Sequence, residues 1–97
     1  MRMVTHVVCW KLKDRSRENA ERVRERLLTM QGRLPMLKSL EVGVDVIRSG
    51  RSFDVVLIAR FDSLDDLNAY QVHPYHQEIA AFMGTVVEQA VAVDYEG

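Results

Sequence analysis

Residues 70 to 76 read YQVHPYH, which brings the phenol of Tyr70 and the imidazoles of His73 and His76 into one short stretch. A third histidine, His6, interrupts an apolar alternation near the N-terminus. A neutral imidazole accepts a proton near neutral pH, and a phenol screened from water donates a hydrogen bond to a developing oxyanion. The set therefore suits general acid–base chemistry on a carbonyl compound. The same side chains also serve as satisfied core groups: His76 against strand backbone, Tyr70 as a packed ring, His73 as a helix terminus. Residue types alone leave both readings open.

Other chemistries find less support. Two histidines three apart with a distant third match a three-imidazole zinc site in number. Pro74 separates the pair, however, and neither a cysteine pair nor an HExxH segment accompanies it. Gly32, Gly43, Gly50, Gly84 and Gly97 build no GxGxxG or GxxxxGK[ST] cradle, and a serine nucleophile elbow is absent. Cys9, the only cysteine, falls on the strand face opposite His6, which leaves it a small structural side chain. No metal and no cofactor is expected.

Elements must bring the polar residues together. VTHVVCWKL (4–12) alternates with Val4, His6, Val8, Trp10 and Leu12 on one face, a strand pattern. From Ser16, a candidate N-cap, Ala20, Val23, Leu27, Met30, Leu34 and Leu37 recur at helical spacing, with Gly32 and Pro35 ending the helix near residue 32. Glu18 and Arg22 stand four apart on its charged, solvated side. LEVGVDVI (40–47) and FDVVLIARF (53–61) read as two strands joined through RSGRS (48–52), a turn built on Gly50 with exposed arginines. SLDD (63–66) is a capping box that starts a helix. That helix stops by Val72, and Pro74 opens a second one with His73 as its cap. His76, Ile79, Ala80 and Met83 then share a stripe, and VEQAVAVDY (87–95) closes the chain as a fourth strand.

The order β-α-β-β-α-(α)-β is that of an α+β, ferredoxin-like domain: a four-stranded antiparallel sheet with helices on one face. If the His6 face is the helix side, His6 and His76 look into the same interlayer space, and Tyr70, three after Leu67, points there too. The other face carries Val7, Cys9, Val56 and Ile58 and needs a cover, which a second copy of the sheet supplies by two-fold symmetry. A homodimer is expected.

The 97 residues form a single domain with a thin core. Hydrophobic residues at 47% and charged residues at 28% mark a soluble globular chain. A net charge of −1 offers no footprint for nucleic acid, and no apolar run is longer than Val55–Ala59, far too short to span a membrane. One cysteine and no cleavable leader make the cytoplasm the expected location.

Two motifs resemble those of the stress-responsive A/B barrel (Dabb) family. They are His6, Val8, Lys11 and Lys13 in H-x-V-x-x-K-x-K, and Phe61, Ser63, Leu67, Tyr70, His73, Pro74 and His76 in F-x-S-x-x-x-L-x-x-Y-x-x-H-P-x-H. Gly43, Asp45 and Asp54 fit the family's middle segment, and the likeness runs from Val4 to Tyr95. The resemblance implies sheet-to-sheet pairing into a dimeric α+β barrel. Many members have no known activity, which admits a non-catalytic, stress-related binding or structural dimer. One plant member is a polyketide cyclase that performs an intramolecular aldol condensation without a cofactor. Tyr70 and His76 match its catalytic pair, and His6 matches a further pocket histidine. His76 would then remove an α-proton with help from Tyr70. Leu27, or its neighbour Leu28, stands where that enzyme has a tyrosine, so the substrate wall differs. The pocket implied for a small apolar carbonyl compound is bordered by His6, His73, Trp10 and Leu27. Related dimeric barrels are cofactor-free monooxygenases of quinols, and Trp10 is the only tryptophan for such a site.

Overall fold

The computed structural model describes residues 2–97. Its elements run β1 (Val4–Leu12), α1 (Arg17–Leu28), β2 (Ser39–Val44), β3 (Val55–Phe61), α2 (Leu64–Val72), α3 (Pro74–Val86) and β4 (Val87–Glu96). The strands form one antiparallel sheet in the order β2-β3-β1-β4. This is the expected ferredoxin-like α+β fold. No helix among the described residues is long and apolar enough to cross a membrane.

Register decides which side chains meet. His6 stands opposite Ala59 on β3 and Asp94 on β4, while Trp10 stands opposite Val55 and Ala90. Opposed residues of an antiparallel ladder share a face. Val4, His6, Val8, Trp10 and Leu12 therefore join Val55, Leu57, Ala59 and Phe61 on the helix side. Against them α1 buries Ala20, Val23 and Leu27, α2 buries Leu67 and Tyr70, and α3 buries Ile79 and Met83. Each fully buried aliphatic or aromatic side chain contributes about 1.5–3 kcal/mol. On the far side Val7, Cys9, Val56 and Ile58 are only half-buried, and Val91, Val93 and Tyr95 of β4 are exposed.

Two of the three expected helix starts are capped by serine hydroxyls. The Ser16 hydroxyl accepts from the Asn19 N–H at 3.2 Å, and the Ser63 hydroxyl accepts from the Asp66 N–H at 3.1 Å.

The ends of two elements differ from expectation. α1 stops at Leu28, with Thr29 as its C-cap, and Gly32 adopts φ +83° in the turns that follow. Met30 and Leu34 remain buried although they have left the helix, so the apolar period outlasts the hydrogen-bonded ladder. β2 ends at Val44, and Val46 and Ile47, expected within the strand, are 71% and 75% exposed. The Asp45 carboxylate turns the chain by accepting from the Arg48 N–H at 2.6 Å. Arg48, not Gly50, takes the positive φ of +61°.

Arg48 is held there by a buried acid. The Asp54 carboxylate, with no solvent exposure, accepts from the Leu12 N–H at 2.8 Å, Arg15 Nε at 3.1 Å and Arg48 Nη1 at 2.9 Å. The Arg48 guanidinium also donates to the Arg15 carbonyl. The arginine expected to be a solvated turn residue is thus half of a staple joining the end of β1 to the start of β3. Burial alone raises the Asp54 pKa, but the Leu12 N–H and then the two guanidiniums outweigh it and hold the carboxyl below its usual range.

Candidate active site

His73 settles where its neighbours point. Its backbone is extended (φ −63°, ψ 135°), as the residue before a proline prefers. Its N–H donates to the Tyr70 carbonyl at 3.2 Å and closes α2, while its Nδ1 accepts from the Tyr75 N–H at 3.1 Å and opens α3. One residue therefore caps two helices. The expectation that His73 borders the pocket is corrected: its ring nitrogen is occupied by the backbone and it does not line the cavity.

The start of α3 is tied to α1. The Tyr75 and Thr29 hydroxyls are 2.6 Å apart, and the Arg33 guanidinium lies 4.8 Å from the Tyr75 ring centroid. Tyr75 thus faces the end of α1, which turns the adjacent His76 toward the sheet.

A cavity of about 380 Å³ lies between sheet and helices, within the range of small-molecule sites. His6, Tyr70, Gln71 and His76 gather at one end. Val8 and Leu57 form the floor, and Leu27 and Met30 the wall from α1 and its following turn. Ile79 and Met83 come from α3, and Trp10 lies toward the other end with Val87 and Ala90. Neither a carboxylate nor a Lys or Arg side chain lines it.

Five of the expected residues (His76, Tyr70, His6, Trp10 and Leu27) share this space. The Tyr70 and His76 ring centroids are 4.3 Å apart, and those of His6 and Tyr70 are 6.1 Å apart, edge to face. The Phe61 ring also packs on Tyr70, with centroids 4.9 Å apart. The Tyr70 hydroxyl is directed at Met30 Sδ, 3.8 Å away, a weak acceptor. His76 Nδ1 is buried with no hydrogen-bond partner.

Electrostatics separate the roles. Burial pushes the Tyr70 phenol up, so it stays protonated at neutral pH and keeps its O–H to donate. Burial likewise lowers His76, partly opposed by the Gln71 backbone and reinforced by His6 and His73. His76 is thus neutral at pH 7, a free base beside a neutral phenol. His6 is anchored differently: its Nδ1 pairs with the Asp94 carboxylate of β4. Asp94 escaped sequence reading, although it is the one acid within the apolar run VAVDY of the last strand. Among the described residues no group of three His, Cys, Asp or Glu side chains is arranged to hold a metal ion.

The family model for the Stress Responsive A/B Barrel Domain matches residues 4–97. Among solved structures, a dimeric protein of unknown function with a ferredoxin-like fold from Bacteroides fragilis is 29% identical. It has a TM-score of 0.83, with 98% of this chain and 96% of that chain covered. A dimeric ferredoxin-like protein of unknown function from Thermobifida fusca is 25% identical, with a TM-score of 0.85 and coverage of 99% and 92%. The hydroxynitrile lyase of Passiflora edulis shares the fold at 20% identity, with a TM-score of 0.84 and coverage of 99% and 94%. No curated protein matches the chain by sequence.

Proposed function

The chain belongs to the stress responsive A/B barrel domain family, and from that premise we propose that it is a cytoplasmic homodimer that binds a small apolar carbonyl compound in the cavity and moves a proton on it without a cofactor. One observation carries the reading: the Tyr70 and His76 rings sit 4.3 Å apart in a cavity wall, with His76 Nδ1 buried and unpaired. His76 takes a proton from the carbon beside the carbonyl, and Tyr70 leaves Met30 to donate to the oxygen as negative charge develops. The enolate then attacks a second carbonyl of the same molecule, and the new alkoxide takes the proton back from His76; otherwise His76 returns the proton to carbon. His6, steadied by Asp94, orients the oxygen end of the guest.

Proton–deuterium exchange tests this without knowledge of the natural product. Straight-chain methyl ketones incubated with the protein in D2O should exchange their α-protons faster than in buffer, followed by NMR. The rate should fall as pH drops through a value below 6.5, because protonation disables His76, whose pKa is lowered. It should stay level above that value, since the phenol, pushed upward, remains protonated. A rate that rises on acidification would remove His76 as the base.

A second reading, binding without turnover, is favoured by the contact of the Tyr70 hydroxyl with Met30 Sδ. Under it the ketones bind but exchange no faster than in buffer.

The dimer reading rests on the uncovered sheet face, with Val91, Val93 and Tyr95 46%, 64% and 48% exposed, and on the dimeric relatives. Light scattering at micromolar concentration should give twice the 11.2 kDa chain mass. Replacing Ile58 and Val93 by Asp should return the protein to its monomeric mass. A monomeric wild type would reject this part.

A further inference from the structure

Gly84 stands within α3, where glycine weakens a helix relative to alanine. Its backbone does not require glycine, since only Gly32 and Gly97 take positive φ among the described glycines. Neither does packing, because a Cβ at position 84 would meet nothing within 4 Å. Gly84 does, however, line the cavity, and so does Ala80 one turn earlier. Both are exposed, as is Ala90 across from them on β4, whereas Leu27, Leu57 and Met83 are buried. The cavity therefore opens to water between the second half of α3 and the start of β4.

Its long axis can be followed on two elements. On α3 the wall runs from His76 to Gly84, eight residues or about 12 Å. On β1 it runs from His6 to Trp10, about 13 Å. The two directions agree, because His6 is level with the Tyr70–His76 end while the Lys13 N–H bonds the Val86 carbonyl at the far end, at 3.0 Å. The cavity is thus a slot with an acid–base group at one end and small, exposed residues at the other.

We infer that the slot takes an uncharged carbonyl compound with an extended apolar tail, carbonyl inward at His76 and tail outward past Gly84, and that Gly84 sets the tail that is admitted. This rests on the pocket reading above and adds orientation and a specificity-determining residue to it. The absence of any Asp, Glu, Lys or Arg side chain from the lining favours a neutral guest, since an ionised group would find no opposite charge there.

The test uses Trp10, the single tryptophan and a wall residue, as reporter. Its fluorescence is titrated with straight-chain methyl ketones from acetone to decanone. In the wild-type protein affinity should rise by about fourfold for each added methylene until the tail reaches water, then level off. Gly84→Leu should leave the shortest ketones unaffected and weaken the longest by at least tenfold. Ala80→Leu, one turn nearer His76, should impose the same cut at shorter chains and keeps the test available if either variant folds poorly. Chain-length profiles identical to wild type in both folded variants overturn the role of Gly84 and the tail orientation. No Trp10 response to any ketone in the wild type instead overturns the pocket reading itself, and this inference with it.

Discussion

Asp54→Ala is expected to lower the unfolding free energy by about 3 kcal/mol in denaturant titration. The replacement removes the acceptor of the Leu12 N–H and the shared partner of Arg15 and Arg48 in one step. Breaking a buried ion pair typically costs about 3–5 kcal/mol because a charge is left behind. Here both arginine side chains are about one-third exposed, so water takes up part of their charge and the lower end of that range applies. Asp54→Asn keeps an oxygen for the Leu12 N–H and should cost roughly half as much. A loss below about 1 kcal/mol for Asp54→Ala would mean that the staple does not hold the strands together.

The same carboxylate sets an acid limit. Its folded pKa lies below the ordinary 3.8, so its contribution is complete above that value. The contribution is lost as pH falls through the folded pKa, where the native carboxylate is finally protonated. The sign is that of a depressed acid. In Asp54→Ala the corresponding limb of the stability–pH curve should flatten.

His76→Ala is expected to reduce the α-proton exchange rate by 10²–10⁴-fold, roughly the contribution of a positioned general base. The substitution should spare the fold: His76 Nδ1 has no partner to orphan and the residue is only half-buried. Tyr70→Phe complements it. The ring keeps its packing against Phe61 and His76, and the lost hydroxyl gives up only a 3.8 Å contact with sulfur. Stability should change by less than about 1 kcal/mol, while exchange drops on the order of 10²-fold through loss of the oxyanion donor. Unaltered exchange in His76→Ala would take the imidazole out of the mechanism. A large stability loss with unaltered exchange in Tyr70→Phe would assign the phenol to structure alone.

Much of this arrangement was legible because local rules dictated it. The strict alternation from Val4 to Leu12 put His6 and Trp10 on one face. Pro74 marks His73 as a boundary, and a boundary there sends Tyr70 and His76 off separate helices. What stayed hidden was non-local. Asp54 reads as an ordinary polar residue at a strand start, since its partners Leu12 and Arg15 lie 42 and 39 residues away. Asp94 becomes the partner of His6 only once the β1–β4 register is known. Periodicity also misled at two ends. The alternation of LEVGVDVI continues past the point where Asp45 turns the chain, and Met30 and Leu34 keep a helical spacing that turns, not helix, deliver to the core. The resemblance sets His73 at the pocket, whereas its ring is committed to the backbone.

The single residue between the two helices has a mechanical consequence. The phenol and the imidazole belong to separate rods that meet at one rotatable joint, so their mutual aim depends on a backbone angle outside the cavity. Small changes at that joint, or in the brace from Tyr75 to Thr29, would tilt the first turn of α3, where His76 sits, and reset the spacing of the two rings without touching either.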